Sequence, residues 1–232
     1  MTPDHSTPVA VVTGGSAGLG LALTSALAQN GWQVVTDARH AGTLAAATAT
    51  FSHVTAIAGD VREPHHQQQL VDAVRRLGRL NLLVHNASEL GPMLPLADVV
   101  TDQLVEVLTT NLLAPLQLTQ RLLPQLLVSG GALVGISSDA AIEHYPGWGT
   151  YAASKAALDH VILTLAEENG LRGYAVDPGD LRTAMHQRAF PGEDISDRPM
   201  PESVVPHLLP LITGNRPSGR YRVADLVADV VR

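Results

Sequence analysis

Apolar runs of strand length alternate with helical stretches along almost the whole chain, and this alternation limits the fold more than any other feature. Val9 to Thr13, Gln33 to Thr36, Val54 to Ala58, Leu80 to His85, Ala132 to Ser137 and Leu171 to Val176 read as strands. Tyr221 to Val223 reads as a last one. Between them, helices are expected over Leu19 to Asn30, Ala41 to Thr50, the stretch after Pro64, two pieces around Asn111 between Ala97 and Val128, Ala152 to Asn169, and Glu202 to Ile212. Gly31 is placed to stop the first helix, and Pro64 suits an early helical position. Strands joined through helices run parallel, and a parallel sheet needs both faces covered. The expected fold class is therefore α/β, a doubly wound parallel sheet with helices on both faces. Ligands of such sheets lie at the carboxyl ends of the strands.

The length, 232 residues, suits one domain, with a cofactor half over about 8–130 and a catalytic and substrate half over about 131–224. Hydrophobic residues make up 45%, enough for a sizeable core. A net charge of −7 argues against a nucleic-acid partner. With no cysteine there is neither a disulfide nor a thiolate-held metal. The N-terminal MTPDHSTP has no secretory pattern, and the apolar stretch LLAPLQLTQRLLPQLL is broken by Gln117, Gln120, Arg121 and Pro124. A soluble, cytoplasmic protein without a membrane partner is expected. The histidines show neither H-x-x-x-H nor HExxH spacing, so no metal site is expected.

Two stretches carry chemistry. The first is Thr13-Gly14-Gly15-Ser16-Ala17-Gly18-Leu19-Gly20, between the first strand and the first helix. Glycines 14, 18 and 20 permit a tight turn and let backbone amides approach a diphosphate, with a helix N-terminus behind them. A phosphate-binding P-loop is excluded, because the Gly-Lys-Ser/Thr ending is missing. The second stretch contains Ser138, then Tyr151 thirteen residues later, then Lys155 four residues after that. Residues four apart share a helix face. An ammonium beside a phenol favours the phenolate, so the pair can exchange a proton with a substrate oxygen. The Ser138 hydroxyl, at the end of a strand, can bond the same oxygen.

Together these motifs resemble the short-chain dehydrogenase/reductase family, from Val9 to about Val223, on a Rossmann-type fold. The resemblance implies an NAD(P)-dependent oxidoreductase interconverting a carbonyl and an alcohol, with Tyr151 as proton donor, Lys155 and Ser138 supporting it, and Asn111 holding a water that links the lysine to solvent. For the cofactor it implies contacts from Gly14, Ser16, Gly18, Leu19 and Gly20, from Asp60-Val61 at the adenine ring, and from Asn86, Ala87 and Ser88. It adds Tyr151 and Lys155 at the ribose, Pro178, Gly179 and Leu181 beneath the nicotinamide, and Thr183. His85 and Ser88 depart from the family's Asn-Asn-Ala-Gly, and Asp60 also suits a helix cap. Ala38 followed by Arg39 resembles members that prefer NADP(H), with the guanidinium on the 2′-phosphate. If the register shifts by one, Asp37 becomes the acid that selects NAD(H) instead. The family analogy implies a homotetramer or homodimer joined through Asn111–Val128 and Ala152–Asn169, and a small carbonyl or alcohol substrate. The alternative from another class is a cofactor-binding regulator or scaffold without turnover.

Overall fold

The computed structural model describes residues 7–230; residues 1–6, most of the N-terminal stretch read above for a leader, lie outside it, as do 231–232. Seven strands form one parallel sheet in the order β3-β2-β1-β4-β5-β6-β7. In sequence these are β1 Val9–Val12, β2 Gln33–Ala38, β3 Val54–Ala58, β4 Leu82–His85, β5 Ala132–Ile136, β6 Arg172–Asp177 and β7 Gly219–Arg222. The helices are α1 Gly18–Gln29, α2 Ala41–Thr48, α3 Pro64–Leu77, α4 Thr101–Leu108, α5 Ala114–Ser129, α6 Gly149–Asn169, α7 Ala184–Ala189, α8 Pro201–Thr213 and α9 Val223–Val230. The expected doubly wound sheet is what the chain forms. The last strand begins two residues earlier than Tyr221, and Val223 opens α9 rather than closing β7.

Alternate residues of the central strands feed opposite faces, as the pleat demands. Ala10, Val12, Leu82 and Val84 pack with Leu23 and Leu27 of α1 and Leu208 of α8. Val9, Val11, Leu83 and Leu133 pack with Leu70 of α3, Leu118 and Leu122 of α5, and Ile162 of α6. Each fully buried Leu or Val of this kind contributes about 1.5–3 kcal/mol. Gly135 and Gly173 lie beneath α6: a Cβ on the first would sit 2.9 Å from Ile162, and on the second 2.5 Å from Ala166. Missing side chains there let the second half of α6 lie close on β5 and β6.

The order of connection reverses between β1 and β4, and a crevice opens at the carboxyl ends of the strands at such a point. Among the described residues, no helix is long and apolar enough to cross a membrane, and no group of three or more His, Asp or Glu could hold a metal ion.

Candidate active site

The carboxyl ends of the strands surround a cleft of about 390 Å³. Its floor at one end is the glycine turn. Gly14 has φ +74°, in the left-handed region that favours glycine, and its N–H donates to Asp37 Oδ1 at 2.9 Å. Thr13 Oγ1 accepts from the Asn86 and Ala87 N–H groups at 3.0 Å each, and the Asn86 amide donates to Thr13 O at 2.8 Å. The ends of β1 and β4 are thereby tied together. Ala17 leaves the N-terminus of α1 without a side-chain cap, so its first amides remain for an anion. Thr183 lies across from this turn, with its Cγ2 3.4 Å from where a Gly18 Cβ would be. Its hydroxyl caps α7, accepting from His186 N–H at 3.1 Å.

Asp37 is 2% exposed, and both its oxygens are engaged: Oδ1 by Gly14, Oδ2 by His66 Nε2 at 2.9 Å. Burial opposes charge on His66, but the bond to Asp37 and its charge outweigh this and raise the His66 pKa. Arg39, at the tip of β2, is 60% exposed and 3.6 Å from Glu89. Asp60 forms a two-pronged pair with Arg62, at 3.0 and 2.6 Å, and also accepts the Arg62 N–H at 2.9 Å. The hydrogen bond from the Arg62 side chain is the largest reason that the Asp60 carboxyl stays below the usual range. The helix-cap alternative for Asp60 does not hold, since α3 starts from Glu63 and Asp60 makes an Asx turn instead.

At the other end, Trp148 precedes α6, and Tyr151 lies in its first turn with Lys155 one turn on. Both side chains are buried, and Lys155 Nζ lies 5.5 Å from the Tyr151 ring centre and donates to Ile136 O at 2.6 Å. Burial lowers the Lys155 pKa to about 8. Tyr151 goes the other way from the lowering expected of a neighbouring ammonium. Burial, then the Asp177 charge, hold its phenol above the usual value, while the Ser88 and Ser138 hydroxyls pull it back. Ser138 Oγ donates to Asp139 Oδ1 at 2.9 Å, and the Ser138 carbonyl accepts from Arg220 at 2.7 Å. The neighbouring Ser137 Oγ donates to Asp159 Oδ2 at 2.8 Å.

Asn111 sits in a π-helical turn, Thr109–Leu113, between α4 and α5. Its Oδ1 accepts from Glu89 N–H at 2.7 Å and Ser88 Oγ at 3.2 Å, and its Nδ2 donates to Glu89 O and Ser154 Oγ, each at 2.9 Å. These four bonds exhaust the amide. The side chain is therefore a brace between the segment after β4 and α6. His85, the other departure, is neutral: burial and then the Lys155 charge push its pKa down to about 3, and its ring bonds Thr119 at 2.8 Å.

Of the residues expected in the site, all line this cleft except Gly20 and Asn111, which are packed behind its wall. Pro178, Gly179 and Leu181 line it from the loop after β6, and Gly179 N–H donates to Asp177 at 2.9 Å. Arg62, Asp139 and Trp148 also line it and were not anticipated. Only Trp148 gave a usable signal: a large ring three residues before Tyr151.

The family model described as short chain dehydrogenase matches residues 8–194. The oxidoreductase YciK of Escherichia coli K12 is 33% identical over 214 residues, covering 85% of this chain and 83% of its own. A short chain dehydrogenase of Escherichia coli CFT073, solved with NADPH, is 30% identical with a TM-score of 0.87, covering 93% of this chain and 96% of that one. Another from Shigella flexneri, solved with NADP, is 31% identical with a TM-score of 0.83, covering 94% and 97%. With most of its length matched in sequence and in fold, the chain belongs to the short-chain dehydrogenase family of oxidoreductases.

Proposed function

We propose that this protein is an NADPH-dependent reductase that converts a carbonyl to an alcohol, and runs the reverse reaction when driven. The observation that carries the reading is the convergence of Tyr151, Ser138 and Lys155 on one end of the cleft whose other end is the glycine turn. The residues fit a dinucleotide: uncapped α1 amides and Gly14 suit the diphosphate, and Lys155 the ribose nearest the chemistry. The bound cofactor would supply the hydride. Tyr151 donates its proton to the carbonyl oxygen, and a phenol held above its usual pKa is protonated at neutral pH, as a donor must be. Ser138 turns its hydroxyl from Asp139 to the same oxygen and orients it. Lys155 holds positive charge near the phenol, and Asn111 keeps Ser88 and Ser154 in place around it. A homodimer or homotetramer through α5 and α6 belongs to this reading, and light scattering tests it.

NADP is favoured over NAD because Asp37, the acid that would select NAD, is buried with both oxygens engaged, while Arg39 is exposed at the lip. The relatives solved with NADP and NADPH support the same choice. Titration with NADPH and with NADH is the test, and NADPH should bind more tightly. Arg39→Ala should weaken NADPH by about 10- to 100-fold, the scale of a charge-assisted bond, and NADH by less than about threefold. Equal losses would remove Arg39 from the 2′-phosphate.

The reduction should also depend on pH in a defined direction. The Lys155 ammonium is present below about pH 8 and is lost above it. Reduction measured as kcat/KM should therefore be level from about pH 6 to 7.5 and fall by about tenfold per unit at higher pH. Lys155→Arg, which keeps its charge, should move the fall upward; an unchanged profile in that variant would show that another group sets it.

A further inference from the structure

We infer that the substrate is a neutral carbonyl compound bearing an aromatic ring next to the carbonyl, and that Trp148 selects it. The inference rests on the carbonyl-reductase reading above and names its substrate class. The sequence holds two tryptophans, four tyrosines and two phenylalanines, and half of these eight rings gather beside the catalytic end of the cleft. Trp148 is their centre: its ring lies 6.0 Å from Tyr151, 6.4 Å from Tyr145 and 5.8 Å from Phe190, edge-on or tilted to each. These are the separations and angles at which rings attract. Yet Trp148 is only half-buried and lines the cleft, so part of its ring remains open to a further ring. Because it immediately precedes α6, its position is fixed relative to the Tyr151 phenol three residues on. Leu90, Met185 and Ala189 complete an apolar wall with it, and the methionine adapts to flat groups of varied outline.

Charges on that side are mostly committed elsewhere. Glu89 faces Arg39 at 3.6 Å, Asp180 faces Arg198 at 3.7 Å and His186 at 3.8 Å, and Asp139 holds Ser138 and Tyr145 at 2.9 Å each. Arg188 has no ion pair among the described residues, but it is exposed and shared with a second, shallower hollow, which puts it at the outer lip. A keto acid reaching Arg188 is therefore the competing outcome.

The test compares kcat/KM with NADPH for acetophenone, cyclohexyl methyl ketone and an open-chain α-keto acid. Acetophenone should exceed its saturated counterpart by about tenfold, the scale of a ring–ring contact. Trp148→Leu should erase that preference, mostly through KM, and Trp148→Phe should restore much of it. NADPH titration of each variant checks that the fold is intact. Wild-type preference for the saturated ketone or the keto acid would overturn the substrate class while leaving a reductase. A preference surviving in Trp148→Leu would overturn the role of Trp148. Bound NADPH with no turnover of any of the three would overturn the reductase reading, and this inference with it.

Discussion

Tyr151→Phe is expected to reduce carbonyl turnover by about 10²–10⁴-fold, the range that a positioned proton donor supplies. The substitution removes one oxygen and little else. The phenyl ring keeps its packing against Trp148 at 6.0 Å, and Ser88 and Ser138 retain partners in Asn111 and Asp139. Stability should therefore change by less than about 1 kcal/mol, and NADPH affinity by less than a few-fold. The measurements are single-turnover NADPH oxidation, fluorescence titration and thermal unfolding on the same preparation. Turnover within tenfold of wild type would sink Tyr151 as the acid. A collapse of all three quantities together would mean that the hydroxyl serves the fold.

Much of this arrangement was legible in the sequence because it depends on short-range signals. Strand–helix alternation fixed the sheet, since apolar runs such as Val9–Val12 and Ala132–Ile136 have no place except between two helical layers. The turn glycines and the Tyr151–Lys155 spacing are local in the same sense. What could not be read depends on partners distant along the chain. The burial of His66 follows from Asp37, 29 residues before it, and the exhaustion of the Asn111 amide from Glu89 and Ser154, 22 and 43 residues away. The raised Tyr151 pKa comes from desolvation, which no spacing encodes, and it reversed the direction expected from Lys155 alone. Ser88, where the family pattern has glycine, donates its hydroxyl to Asn111 and pulls the Tyr151 pKa down, partners that lie far from it along the chain. The role of Arg220, which reaches Ser138 O, Asp159 and Asp177 from the last strand, was equally invisible, because β7 lies 82 residues from Ser138.

Gly20→Ala should damage both the fold and the cofactor half, because its methyl meets backbone. Its Cβ would lie 2.3 Å from Gly14 O and 2.3 Å from Asn86 Nδ2, and the first of these is backbone that cannot swing aside. The Asn86 amide is the group that joins β4 to Thr13 O at 2.8 Å and Gly14 O at 3.2 Å. One methyl therefore displaces both the turn and the clamp that holds it. Overpacking costs about 1–3 kcal/mol, and two weakened hydrogen bonds about 1 kcal/mol each, so a loss of about 2–4 kcal/mol is expected. NADPH affinity should fall by more than about 100-fold, since the amides proposed to hold the diphosphate move with Gly14. Gly42→Ala is the matched control: nothing lies within 4 Å of that Cβ, its φ is not positive, and it sits in α2. There the same substitution should stabilise the protein by up to about 1 kcal/mol through helix propensity, with cofactor binding unchanged. Unfolding in urea and NADPH titration below the transition separate the two effects. If Gly20→Ala stays folded and binds NADPH as tightly as wild type, the glycine turn is not the cradle, and the cofactor must be sought elsewhere along the strand ends.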